Sequence, residues 1–100
     1  MPYIPQDKRK LLDPAIAQIV DGLRQLEADD YDNKNCTEGN LNYVMSSLLA
    51  KIYQGRRYAE INTAIGVMGS ALLEYYIRVA VPYEKQKAFE NGDVYSSPQS

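Results

Sequence analysis

The chain has 100 residues, is 45% hydrophobic, and carries 11 basic and 13 acidic side chains, for a net charge of −2. It contains no histidine and one cysteine, Cys36, which excludes an internal disulfide and a cysteine zinc cluster and removes the commonest general base. We therefore expect a single domain, residues 1–100, in the cytoplasm, with no metal or cofactor and, lacking a basic field, no nucleic-acid partner.

Two prolines, Pro2 and Pro5, disfavour helix at the start of the chain. Residues 1–6 are predicted to form an extended arm over the helices, and their lack of an apolar core argues against a signal peptide. Asp13 and Pro14 have the residue types of an N-cap and a first helical position. The first helix is therefore predicted to start there and to end near Ala28, with an apolar face that includes Ile16 and Leu23.

Residues 29–39 form a polar segment, DDYDNKNCTEG. Its acidic residues suggest a calcium loop, but counting from Asp30 places Lys34 at the fifth position and Leu41 at the twelfth, where oxygen ligands are required. A solvated loop is the better interpretation. The second helix is predicted to start at Thr37 or Asn40, to reach about Tyr53, and to end through Gly55.

Residues 57–81 are predicted to form one long helix around which the rest of the chain is organised. At 100° per residue, one apolar stripe recurs at alternating spacings of four and three, typical of a packed helical seam. Its members are Ile61, Ile65, Met68, Leu72, Tyr75 and Val79. The longest uncharged run, residues 61–73, is shorter than the ~20 residues of a membrane span, so no membrane partner is expected.

A second stripe lies beside the first and contains several small residues. Gly66 and Gly69 each cost about 1 kcal/mol in a helix relative to alanine, which indicates a packing role. Two apolar stripes need two partners, and we predict that a second copy of the chain, in a homodimer, covers this one. The predicted interface residues are Ala59, Asn62, Gly66, Gly69, Leu73, Tyr76 and Ala80.

Pro82 is predicted to break or kink the long helix and to open a short C-terminal helix. Asn91 and Gly92 are a stop signal for that helix, Asp93 caps a turn in a short extended segment, and the tail, residues 96–100, is expected to fray. The fold prediction is an all-α antiparallel bundle of three main helices and a short helix after Pro82.

Several pieces of the chain resemble a family of small, functionally uncharacterised helical proteins of bacteriophages and bacteria. They are GNLNYV at residues 39–44, AIGVM at 64–68, PYE at 82–84 and ENGDVY at 90–95, together with the opening PYIP. Asn40 stands where the family pattern has aspartate, and the long helix is more apolar than the pattern around Gly69 and Ile77. The resemblance implies a fold and an intracellular, phage-linked origin, and it implies no reaction.

The sequence offers little for catalysis. No serine lies in a glycine-flanked elbow, and Glu60 and Glu74 lie fourteen residues apart, too far to share Mg²⁺ without a second subunit. We predict a non-enzymatic interaction or adaptor protein with a possible protein partner. The alternative is a nucleotide-binding, metal-binding or hydrolytic site shared between subunits. Candidate binding residues, each also explained by caps and turns, are Asn42, Tyr43, Arg78, Tyr83, Glu84, Asn91, Asp93 and Tyr95.

Overall fold

The structure, a computed structural model, describes residues 2–29 and 36–95. In these ranges the chain forms three helices: α1 over Gln6–Asp29, α2 over Cys36–Ile52 and α3 over Tyr58–Asn91. The described ranges contain no strand, so the prediction of an all-α fold is confirmed. Most of the polar loop, with the calcium alternative counted from Asp30, and the tail at residues 96–100 lie outside the described residues.

The first turn of α1 is closed by the end of the N-terminal arm. The Pro5 carbonyl accepts hydrogen bonds from the backbone N–H groups of Lys8 at 3.1 Å and Arg9 at 3.3 Å. Arg9 Nε also donates to the Ile4 carbonyl at 2.8 Å. Because these bonds satisfy groups that a helix start otherwise leaves open, the helix begins directly after the arm, of which residues 2–5 are non-helical.

Asp13 and Pro14 do not start α1. Pro14 lies inside the helix, so the predicted start is wrong. The pyrrolidine ring removes one backbone donor, and the Lys10 carbonyl loses its ordinary i→i+4 partner. Residues 6–12 already form helix before the proline, and the helix continues past Pro14. A prediction from the residue types at positions 13 and 14 alone does not include this preceding helix.

α1 and α2 contact each other near the polar loop. The Thr37 hydroxyl at the start of α2 donates to the Glu27 carboxylate near the end of α1, and Arg24 Nη1 lies 3.3 Å from the same carboxylate. The Thr37 hydrogen bond lowers the pKa of Glu27; desolvation opposes this shift, and Arg24 assists it. The start of α2 at Cys36 is one residue from the predicted Thr37.

A short turn joins α2 to α3. Tyr53 N–H donates to the Leu49 carbonyl at 2.9 Å, which completes α2 close to its predicted end. In this turn the residue with positive φ is Arg56, at 57°, so the prediction that α2 ends through Gly55 is wrong. Gly55 has a different role: its N–H donates to Glu60 Oε2 at 3.1 Å, so a carboxylate in the first turn of α3 holds the connecting turn in place.

α3 does not break at Pro82. It is α-helical over Tyr58–Tyr75, forms a π-helical turn over Tyr76–Ala80, and is α-helical again over Val81–Asn91. In the π turn the Val81 N–H donates to the Tyr76 carbonyl, and Pro82 follows in the first turn of the last segment. The backbone stays helical through the π turn, so the chain does not break there. The predicted alternative, a kink at Pro82, stays a prediction.

The end of α3 follows the prediction. Gly92 has φ 94°, and its N–H donates to the Ala88 carbonyl at 2.9 Å. Asp93 Oδ1 then accepts a hydrogen bond from the Tyr95 N–H at 2.9 Å, which forms the predicted capped turn.

The chain divides into two compact units. One comprises residues 3–64, with α1, α2 and the start of α3, and the other begins at Ile65 and contains the rest of α3 with the C-terminal turn. No described residue in either unit is buried. The expectation of a single domain stays a prediction.

Candidate interaction surface on the third helix

The first apolar stripe of α3 is open to solvent along its length. Each of its six large side chains is at least 45% exposed. The stripe comprises Ile61, Ile65, Met68, Leu72, Tyr75 and Val79. A core helix buries such a stripe against its neighbours, so this surface has the composition of a core and the exposure of a contact surface.

The second stripe is also accessible. Leu73 is 60% exposed and Tyr76 is 55% exposed. Among the other predicted interface residues, Ala59, Asn62 and Gly66 are exposed, and Gly69 and Ala80 are half-buried. Apart from the chain neighbours and the backbone of the helix itself, the described residues place no atom within 4 Å of where a Cβ would stand at Gly66 or Gly69. The glycines therefore leave open space beside the large side chains.

The structure brings together some of the predicted binding residues. Glu84, Asp93 and Tyr95 line a cleft of about 420 Å³ at the end of α3, and its floor includes Val81 and Ala88. Arg78, Tyr83 and Asn91 belong to the same unit but do not line the cleft. Asn42 and Tyr43 are on α2, where Tyr43 lines a separate cleft of about 310 Å³ against the Leu23 region of α1.

Local contacts explain part of this polar set. Asn42 Oδ1 accepts a hydrogen bond from the Ser46 hydroxyl at 3.2 Å. The Lys87 ammonium lies 5.7 Å from the centre of the Tyr83 ring, with its nitrogen 3.5 Å from a Glu90 oxygen. These are exposed contacts between neighbouring turns of one helix, and such contacts contribute only a few tenths of a kcal/mol, about 0.2–0.5.

Sequence reasoning missed the part of the cleft that depends on the π turn. Five residues separate Tyr76 from Val81, which is about 140° around an ordinary α-helix. The π turn joins the two residues by an i→i+5 hydrogen bond, and both side chains line the cleft. Pro82 was the only available signal for this irregularity, and a proline equally well predicts a break.

Two further properties of the described residues bear on metal and membrane binding. Among the described residues, no group of three or more His, Cys, Asp or Glu side chains is placed to hold a metal ion. By length and composition α3 is able to cross a membrane: it has 34 residues and a window of mean hydropathy 1.4, none of which is buried. The same apolar part carries Glu74 and Arg78.

Within the described residues, the chain is all-helical and its third helix carries two accessible apolar stripes. Residues 1–94 match the model of a family described as a domain of unknown function, DUF6899. The chain belongs to that family. No curated protein and no solved structure matches it.

Proposed function

We propose that this chain is a small, non-enzymatic interaction or adaptor protein that works as a homodimer, with α3 at the dimer interface. The proposal includes the antiparallel bundle that the sequence pattern predicts for the helices of each chain. We place it in the cytoplasm and, from the sequence resemblance, in a bacteriophage or bacterial setting. The exposure of both stripes of α3, with no described residue buried, is the observation that carries the proposal.

The exposed area is large enough for a stable dimer. Eight large apolar side chains on the two stripes of α3, between Ile61 and Val79, are 45–67% exposed. At roughly 90 Å² each, they present about 720 Å² per chain, or about 1,440 Å² for a pair. Specific dimer interfaces need more than about 1,000 Å² in total. A homodimer therefore has enough apolar surface on this helix alone.

A second copy fits these surfaces better than a lipid bilayer does. A charged residue at the centre of a membrane helix costs about 2.5–3.5 kcal/mol, and a bilayer-spanning α3 carries both Glu74 and Arg78. The other two helices also expose large apolar side chains, including Ile16 on α1 and Leu48 on α2. A single membrane span leaves those faces uncovered, whereas association of helical subunits is able to cover them.

Light scattering after size-exclusion chromatography tests the proposal. The wild-type chain is expected at twice its monomer mass at micromolar concentration, and Gly66→Leu is expected to shift it toward the monomer without loss of helix content. Ala71→Leu is the matched control, because Ala71 is exposed and lies on the opposite side of α3 at 100° per residue. A monomeric wild type, or equal behaviour of the two variants, refutes the proposal.

Flotation with lipid vesicles tests the alternative that α3 inserts into a membrane instead of pairing with a second copy. Vesicles of neutral phospholipid and of phospholipid with an anionic component are incubated with the wild-type chain, and the dimer proposal expects the protein to remain in the aqueous fraction. Stable insertion that resists carbonate extraction would show that α3 is covered by lipid instead.

A further inference from the structure

Six residues of α3 form a continuous apolar face, which we call the α3 seam. Ile65, Leu72, Leu73 and Tyr76 supply large side chains, each at least 55% exposed, and Gly66 and Gly69 lie between them. At 100° per residue the six positions span about 120° of the helix surface. All of them precede or begin the π turn, and none of them is charged.

Side-chain size is distributed unevenly along the α3 seam. Its glycines, Gly66 and Gly69, come first along the helix, and Leu73 and Tyr76 follow at the same heptad positions, seven residues later. Space is open at both glycines. A partner helix that runs parallel in register places leucine on leucine and glycine on glycine, which crowds one end and leaves gaps at the other. An antiparallel partner places Leu73 and Tyr76 of each helix over the two glycines of the other.

We infer that two copies pair through antiparallel α3 seams, with Leu73 of each copy seated on Gly69 of the other and Tyr76 seated on Gly66. This inference rests on the proposed homodimer and specifies its geometry. A second copy is the occupant because its seam is complementary in size to this one, because the seam together with the first stripe beside it exposes enough apolar area for a dimer, and because no like charges meet in the seam. The two-fold axis of the dimer then crosses the helices at the level of Ala71, which is midway between Gly69 and Leu73.

Thiol cross-linking between differently tagged copies tests the pairing, in chains that also carry Cys36→Ser. One copy carries Gly66→Cys and the other Tyr76→Cys. In the antiparallel arrangement these two positions are adjacent, whereas identical positions are ten residues apart along the axis, about 15 Å at ~1.5 Å per residue. A short cross-linker should therefore join only the mixed pair, and neither variant should cross-link to itself.

A size swap gives an independent readout. Gly69→Leu should weaken dimerisation at least about tenfold, because Leu73 of the partner then meets a filled space. Adding Leu73→Ala to the same chain should recover most of that loss, while Ala71→Leu should change the dissociation constant by less than threefold. Helix content by circular dichroism is followed for each variant, so that a folding defect is seen directly.

The outcomes separate this inference from the proposed function. Self-cross-linking of either single variant would show a parallel dimer and overturn the antiparallel seam, and the homodimer would stand. A dimer by light scattering that gives no cross-link and no rescue would show that another surface pairs the copies. A monomer would overturn both proposals.

Discussion

The Thr37 hydroxyl donates a hydrogen bond to Glu27, which joins α1 to α2 and shifts the titration of the Glu27 carboxyl. The pKa of Glu27 lies below its ordinary value of 4.5, chiefly because the Thr37 hydroxyl donates to the ionised carboxylate. A lowered folded-state pKa stabilises the fold above the unfolded-state pKa, and this stabilisation disappears as pH falls through the folded-state value.

Thr37→Val, which removes the hydroxyl and keeps the shape, should therefore raise the pKa of Glu27 and reduce stability at neutral pH. It should also flatten the loss of stability as pH falls below the ordinary Glu27 pKa of 4.5. Carbon-13 chemical shifts of the Glu27 carboxyl and urea unfolding across pH measure both effects. Thr37→Ser retains the hydroxyl and serves as the control. An unchanged acid profile in Thr37→Val would show that the contact does not form in solution.

Gly92 is the position where the backbone itself requires a glycine. Its φ of 94° is unfavourable for any residue with a Cβ, so Gly92→Ala should destabilise the C-terminal turn by about 1–2 kcal/mol. Gly22→Ala is the contrasting change, since Gly22 lies inside α1 with open space at its Cβ position, and it should be neutral or stabilising by up to about 1 kcal/mol. Amide hydrogen exchange near each site measures the two changes in stability, and equal effects of the two variants would contradict the prediction.

Among the helices, sequence rules succeeded where a single local device decides the boundary. Asn91 and Gly92 end α3 because glycine alone tolerates the required φ. The same rules failed at Pro14, which lies inside α1, and the break that they allowed at Pro82 is absent, because the backbone stays helical there. The expectation that proline ends a helix rests on one lost hydrogen bond and one steric clash at the proline itself. It takes no account of structure several residues away, such as the first turn bonded to the Pro5 carbonyl or the π turn at Tyr76–Ala80.

Pro14 offers a test at the scale of the element. Since the proline sits in the interior of α1, Pro14→Ala should restore a backbone hydrogen bond to the Lys10 carbonyl and stabilise the helix, by up to about 3 kcal/mol. Pro5→Ala is the control, because Pro5 contributes its carbonyl to the first turn and should change stability by less than about 0.5 kcal/mol. If exchange protection around residues 10–15 is the same in wild type and Pro14→Ala, the interior position of Pro14 is wrong.

For the whole molecule, periodicity correctly identified two apolar stripes on one long helix, and their positions could be read from the spacing alone. It could not show that both remain accessible, because burial depends on where the other elements lie. The candidate polar site was less predictable still. Glu84, Asp93 and Tyr95 meet at one cleft, whereas Asn42 and Tyr43 are on α2, since residue type indicates polarity without indicating position.

A chain whose described residues include none that is buried should depend on association for its stability. If two copies unfold together, the thermal midpoint must rise with protein concentration. An unfolding entropy of about 2.1 cal/mol/K per residue over two chains of this length, set against 1.4 kcal/mol per tenfold change in concentration, gives roughly 3 °C per tenfold. Differential scanning calorimetry over a hundredfold range measures this slope. Ala71→Leu should retain it and Gly66→Leu should show a lower midpoint at every concentration, while a midpoint independent of concentration would mean that the single chain is stable by itself.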